Sequence, residues 1–202
     1  MKILVACEYS GEVRRAMRER GHDAISCDLL PPDDGSQFHY QGDCRDLLNE
    51  GWDMRICFPS CQHLAVSGAR WFKGKEREQK ESLDFVRCLL DAPIEKISLE
   101  NPVSVISSKI RKPSQIIQPY EFGHPESKKT CLWLKNLPLL KPTNILPKPA
   151  SGVWQNQTPS GQNNLGPSKD RWKIRSKTYT GIARAMADQW TKRLQSNTKE
   201  VA

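Results

Sequence analysis

The chain has 202 residues, 37% of them hydrophobic, which is enough for one α/β domain with a buried core and too few for two comfortable ones. Its apolar runs, such as 3–7, are only a few residues long, so no segment is expected to span a membrane. The formal net charge of +8 is unevenly placed: residues 1–107 hold 14 Lys/Arg against 18 Asp/Glu and residues 108–202 hold 17 against 5, giving −4 and +12. A basic rear half suits a phosphate-bearing partner, because clustered Lys and Arg bind a polyanion by releasing its counterions; it also suits a solvated surface with no partner.

The N-terminus passes from Met1-Lys2 straight into a strand-like run without a signal-peptide pattern, so the expected compartment is the cytoplasm. Residues 2–6 are predicted to form a buried strand and 11–20 a helix with Val13, Ala16 and Met17 on one face, ended by Gly21. Strands are predicted at 23–27, 37–41, 52–57 and 96–99, with a helix at 78–91 that turns Leu83, Val86 and Leu90 inward. Strand and helix repeated in this order predict a Rossmann-like, doubly wound, mostly parallel sheet. Two further strands are expected at 114–118 and 130–134, followed by a proline-spaced connection over 138–149. Residues 150–170, rich in Gly, Ser, Asn, Gln and Pro, are expected to form a long mobile loop. An amphipathic helix over 180–195, with Ile182, Met186, Trp190 and Leu194 at helical steps, closes a single domain covering 1–202.

Seven cysteines (Cys7, Cys27, Cys44, Cys57, Cys61, Cys88 and Cys131) are an odd number and read as free thiols. Cys57, Cys61 and His63 are close enough in sequence to suggest zinc, but no second Cys/His pair follows, so no metal is expected.

Ligands of an open parallel sheet sit outside the carboxyl ends of its strands. After the first predicted strand comes Cys7-Glu8-Tyr9-Ser10-Gly11, a turn opening a helix N-terminus whose amides can hold a carboxylate. Asp28, seventeen residues beyond Gly11, is placed to receive ribose hydroxyls, and Gly42-Asp43 follows the third strand. Together these outline an adenosyl pocket. The fourth strand ends in Phe58-Pro59-Ser60-Cys61-Gln62 and the fifth in Leu99-Glu100-Asn101-Pro102.

This order resembles the cytosine-C5 DNA methyltransferase family. The family's Pro-Pro-Cys-Gln loop corresponds to Pro59-Ser60-Cys61-Gln62, its Glu-Asn pair to Glu100-Asn101, and its Gly-Asp element to Gly42-Asp43. Its Phe-Gly-x-Pro-Gln-x-Arg stretch corresponds to Phe122-Gly123-His124-Pro125-Glu126-Ser127-Lys128. The resemblance implies a class I S-adenosylmethionine-dependent methyltransferase fold. In that reading Cys61 adds to C6 of cytosine and Glu100 supports N3. S-adenosylmethionine is the cofactor, bound by Cys7, Glu8, Ser10, Gly11, Asp28, Asp43 and Pro59. Gln62, Ser67, Asn101, Lys128, Lys129, Arg171 and Arg175 meet the substrate, and Lys128, Lys129 or a helix terminus is expected to lower the pKa of Cys61.

Departures from the family pattern bear on the substrate. The glycine-rich first turn keeps one glycine, Ser60 and Glu126 replace a proline and a glutamine, and no recognition domain fits between Lys135 and the last helix. The stripped-down build resembles relatives associated with bacteriophages. Three readings follow: methylation of cytosine in DNA, the same chemistry on RNA or a cytosine nucleotide, and a non-catalytic nucleic-acid-binding relative. In the first two, the basic run Lys169, Arg171, Lys173, Arg175 and Lys177 clamps phosphate, and Trp154 and Trp172 can stack on a base.

Overall fold

The computed structural model describes residues 1–192. Lys2–Ala6 (β1) is an apolar run, and strand geometry sends alternate side chains to opposite faces. Ile3 and Val5 join one core, Leu4 and Ala6 the other. The chain continues through α1 (Glu12–Glu19), β2 (Asp23–Asp28), β3 (His39–Gln41), β4 (Met54–Cys57), α2 (Glu76–Asp91), β5 (Lys96–Pro102) and α3 (Ile106–Lys109). It ends with β6 (Gln115–Ile117), β7 (Thr130–Lys135), α4 (Arg171–Ser176) and α5 (Thr180–Trp190).

The seven strands form one sheet in the order β3-β2-β1-β4-β5-β7-β6, in which β7 alone runs against the others. The fold is therefore mixed α/β with a mostly parallel sheet. α1 and α5 cover one face through Val13, Met17, Ile182, Met186 and Trp190; α2 covers the other through Leu83, Val86 and Leu90, the three residues predicted to face inward. Each fully buried aliphatic side chain contributes roughly 1.5–3 kcal/mol to this packing.

Register levels the strand ends that matter. Ala6 pairs with Cys27 on one side and Cys57 on the other, and Cys57 pairs with Leu99. From β1 the chain winds outward to β2 and β3; from β4 it winds the opposite way, so the crevice outside β1 and β4 is where the winding reverses.

Three departures from the predicted elements bear on the site. β5 continues to Pro102 because β7 pairs with it as far as Thr130, so Glu100 and Asn101 lie within the strand rather than after it. Arg171–Ser176 forms a short helix where none was predicted. α5 ends at Trp190, and the predicted positions Leu194 and Gln195 lie outside the described residues. In the polar stretch 150–170, Trp154 is buried and stacks on Tyr120, with ring centroids 4.7 Å apart. Among the described residues no helix is long and apolar enough to cross a membrane.

Candidate active site

One side of the crevice is built by the turn after β1. Cys7 adopts φ 60°, which takes the chain out of the pleat, and Gly11 at φ 70° leads into α1 without a capping side chain. The cap comes from Glu8, whose buried carboxylate accepts from Val13 N at 2.6 Å and Arg14 N at 3.2 Å. The helix N-terminus expected to receive a ligand's carboxylate thus already holds one of the chain's own. Burial outweighs these two amides and lifts the Glu8 pKa to about 7. Ser10 is buried beside Gly11, and its carbonyl accepts from Arg15.

Asp28 ends β2, half-buried, with Oδ1 accepting from Leu30 N at 3.0 Å; desolvation raises its pKa. Its carbonyl accepts from Gly42 N, which sets Asp43 beside it. Asp43 caps the short 3-10 turn Cys44–Leu47, and Arg45 Nε donates to both its oxygens at 3.0 and 2.9 Å, holding the carboxyl below its usual pKa. Asp28 keeps lone pairs for a hydroxyl, whereas Asp43 must share its oxygens with Arg45.

The other side comes from the ends of β4 and β5. Phe58 N donates to Ala6 O, Pro59 is buried, and Asn101 Nδ2 donates to Pro59 O at 3.0 Å, tying the two strand ends together. Asn101 is fully buried and its Oδ1 has no partner. The carbonyl of Cys61 starts a turn by accepting from Leu64 N and Ala65 N, leaving Cys61, Gln62 and Ser67 exposed.

Glu100 is half-buried, and desolvation raises its pKa against the pull of Lys128. Cys61 feels both groups. Surrounding protein and the Glu100 charge push its thiol up, while Lys128 and Arg175 pull it down; the balance is upward, not the lowering expected. Lys128 is held by its main chain against Gln118 Oε1 and by Nζ donating to Arg175 O at 2.9 Å. Lys129 is exposed and acts on Cys131.

A strap from the far end of the chain crosses this crevice. Tyr9 Oη donates to Lys173 O at 2.9 Å and lies 3.1 Å from Ser176 Oγ, while Trp172 packs 5.9 Å from the Tyr9 ring. Lys177 pairs with Asp33. Tyr179 Oη donates to Glu126, and His124 Nε2 accepts from Gly181 N at 3.0 Å. Glu126, the acid in the basic stretch, is therefore an internal acceptor. A narrow cleft remains under the strap, lined by Phe58, Glu100, Lys128, Thr130 and Tyr179. Tyr9 and Tyr179 were not predicted as site residues: Tyr9 sits inside a turn already singled out, but nothing local marks Tyr179. Among the described residues no cluster of His, Cys, Asp and Glu could hold a metal ion.

Fold and site together define an α/β protein with a ligand crevice at the reversal of its sheet, furnished with a thiol, a carboxyl and an ammonium. No protein-family model matches the chain, and no curated protein matches it. One solved structure similar to it is a protein proposed as a DNA modification methyltransferase, encoded within a prophage of E. coli. That similarity has a TM-score of 0.45 and 13% sequence identity, and it covers 74% of this chain and 53% of the other, so the chain spans about half the length of that protein.

Proposed function

We propose that this protein transfers a methyl group from S-adenosylmethionine to C5 of cytosine in DNA, through a covalent adduct at Cys61. The observation that carries the reading is the meeting of Cys61, which follows β4, with Glu100 on β5 and Lys128 just before β7: the Glu100 charge pushes the thiol's pKa up, and Lys128 pulls both of them down. The order of the motifs in sequence and the parallel sheet with its reversed seventh strand agree with the class I methyltransferase fold that the resemblance implies.

C5 of cytosine is a weak nucleophile. Cys61, once deprotonated, adds at C6; the electron pair of the C5–C6 double bond moves between C5 and C4, and the C4–N3 pair moves onto N3. Burial favours the protonated form of Glu100, the form that donates to N3 and stabilises that charge. Lys128 lowers the cost of the thiolate. When bound, S-adenosylmethionine would supply the methyl group that C5 takes up, its sulfonium sulfur keeping the bonding pair and leaving as a neutral thioether. After the C5 proton is lost to a base, Cys61 departs with its bonding electrons and the double bond is restored.

The chain's residues fit that cofactor unevenly. Asp28 suits ribose hydroxyls, Cys7, Ser10, Gly11 and Pro59 wall the adenosyl side, and Asp43 takes part by sharing its carboxylate with Arg45. Glu8 acts from behind, by holding the turn. Gln62, Ser67, Asn101, Lys128, Lys129, Arg171 and Arg175 meet the substrate, with Asn101 acting through Pro59. All of this belongs to one domain, in which the segment around 150–170 stands in place of a recognition domain. The lack of room for a recognition domain between β7 and α5 supports a second reading, the same chemistry on RNA or a cytosine nucleotide.

Transfer of labelled methyl to duplex DNA, RNA and cytosine nucleotides tests the reading. Cys61→Ser should reduce transfer by roughly a thousandfold or more while cofactor affinity, measured by calorimetry, stays unchanged. Retained turnover in that variant would overturn it.

A further inference from the structure

A second cleft lies away from the proposed site. It is an open cleft of about 580 Å³ bounded by α2, the end of α3 and the end of β7, and Lys135 pairs with Ile97 near the start of β5. It therefore belongs to the opposite end of the sheet from Cys61 and Glu100.

Four cations line it: Arg87, Lys109, Arg111 and Lys135, against one acid, Asp91. Arg87 is paired to Asp84, but among the described residues Lys109, Arg111 and Lys135 have no carboxylate partner. Two of them lean on main-chain carbonyls: Arg111 Nη2 donates to Leu134 O at 3.3 Å and Lys135 Nζ to Ala92 O at 3.3 Å. Guanidinium and ammonium groups each have donors to spare after one such bond. Like charges gathered in one cleft repel unless an anion joins them.

Leu90 and Leu134 are turned into the cores on opposite faces of the sheet, so the cleft is lined chiefly by these cations, with Ile110 as its apolar contact. Its volume falls within the range of small-molecule sites, roughly 300–1,000 Å³. We infer that this cleft binds a ligand bearing a di- or triphosphate group, such as a nucleoside diphosphate, with Lys109, Arg111 and Lys135 on the phosphate oxygens. A ligand with two or three linked phosphates offers these cations more charge and more acceptor oxygens, spread across the cleft, than a single inorganic phosphate. The inference is independent of the methyl-transfer reading, because no residue is shared between the two places.

Calorimetric titration of the full chain with ADP tests it, using inorganic phosphate and a short DNA duplex as comparison ligands. ADP should bind more tightly than phosphate, and Lys109→Glu with Arg111→Glu should weaken it at least tenfold, while Lys128→Ala leaves it unchanged. The milder pair Lys109→Gln and Lys135→Gln should shift affinity in the same direction, and circular dichroism checks that each variant is folded. No ADP binding, ADP binding abolished by Lys128→Ala alone, or duplex binding abolished in the cleft variants while ADP binding is kept would each overturn the inference.

Discussion

The two sides of the crevice are built in different ways. The β1 side is local: Cys7, Glu8, Gly11 and Asp28 lie within the first thirty residues, and Glu8 closes the turn on amides five and six residues ahead. The Cys61 side is assembled from afar, since Asn101 holds Pro59 across 42 residues and the strap reaches Tyr9 across 164 and 167. A local half depends on single side chains and their protonation; a long-range half depends on docking.

The largest separate effect should come from Glu8. Burial raises its pKa from 4.5 to about 7, so the folded chain holds the proton more tightly than the unfolded chain. That contribution to stability is fully present below pH 4.5 and is lost as pH rises through about 7. Unfolding free energy should fall over this window by on the order of 3 kcal/mol relative to Glu8→Gln, read from denaturant titrations at each pH. Parallel pH profiles would show that the turn does not store this cost.

On the long-range side, Gly181 is the docking point. A Cβ there would lie 2.0 Å from the Phe122 carbonyl oxygen, so Gly181→Ala must push α5 away from that carbonyl. A loss of about 1–3 kcal/mol is expected, seen as a lower Tm. Transfer should fall as well, because Tyr179 comes with the helix.

Neutralising Arg171, Lys173 and Arg175 should have a gentler effect, weakening DNA binding and flattening its salt dependence by about 0.9 in slope for each phosphate no longer neutralised. An unchanged slope would mark α4 as cover alone. The smallest effect sharpens the comparison within the site itself. Lys128→Ala should raise the midpoint of Cys61 alkylation against pH and Glu100→Gln should lower it, because the ammonium favours the thiolate and the carboxylate opposes it. Shifts of the same sign would contradict the opposed pull of the two groups on Cys61.

What could be read from sequence follows the same division. The continuous apolar run of β1, buried on both faces, and the stripe Leu83, Val86 and Leu90 of α2, buried on one, declare their elements. The Gly21 stop also needs only local signals: it takes φ 77° and donates to Arg18 O. By contrast, α4 buries none of its six residues, so no apolar stripe announces it. β5 runs past its predicted end because its partner β7 is distant in sequence. At the site, Cys61, Glu100 and Lys128 stand out by residue type and order. The upward balance on Cys61 does not, since it depends on the protein around the thiol and on Glu100, which only the fold brings near.

The central claim is the covalent step at Cys61, and adduct trapping addresses it most directly. The protein would be incubated with S-adenosylmethionine and a DNA duplex carrying 5-fluorocytosine, whose C5 has no proton to lose, so that Cys61 cannot depart after methyl transfer. The account predicts a denaturation-resistant protein–DNA species whose mass includes the added methyl, mapped to Cys61 by peptide analysis and missing in Cys61→Ser. No such species from the wild-type chain, or one formed equally by Cys61→Ser, would contradict it.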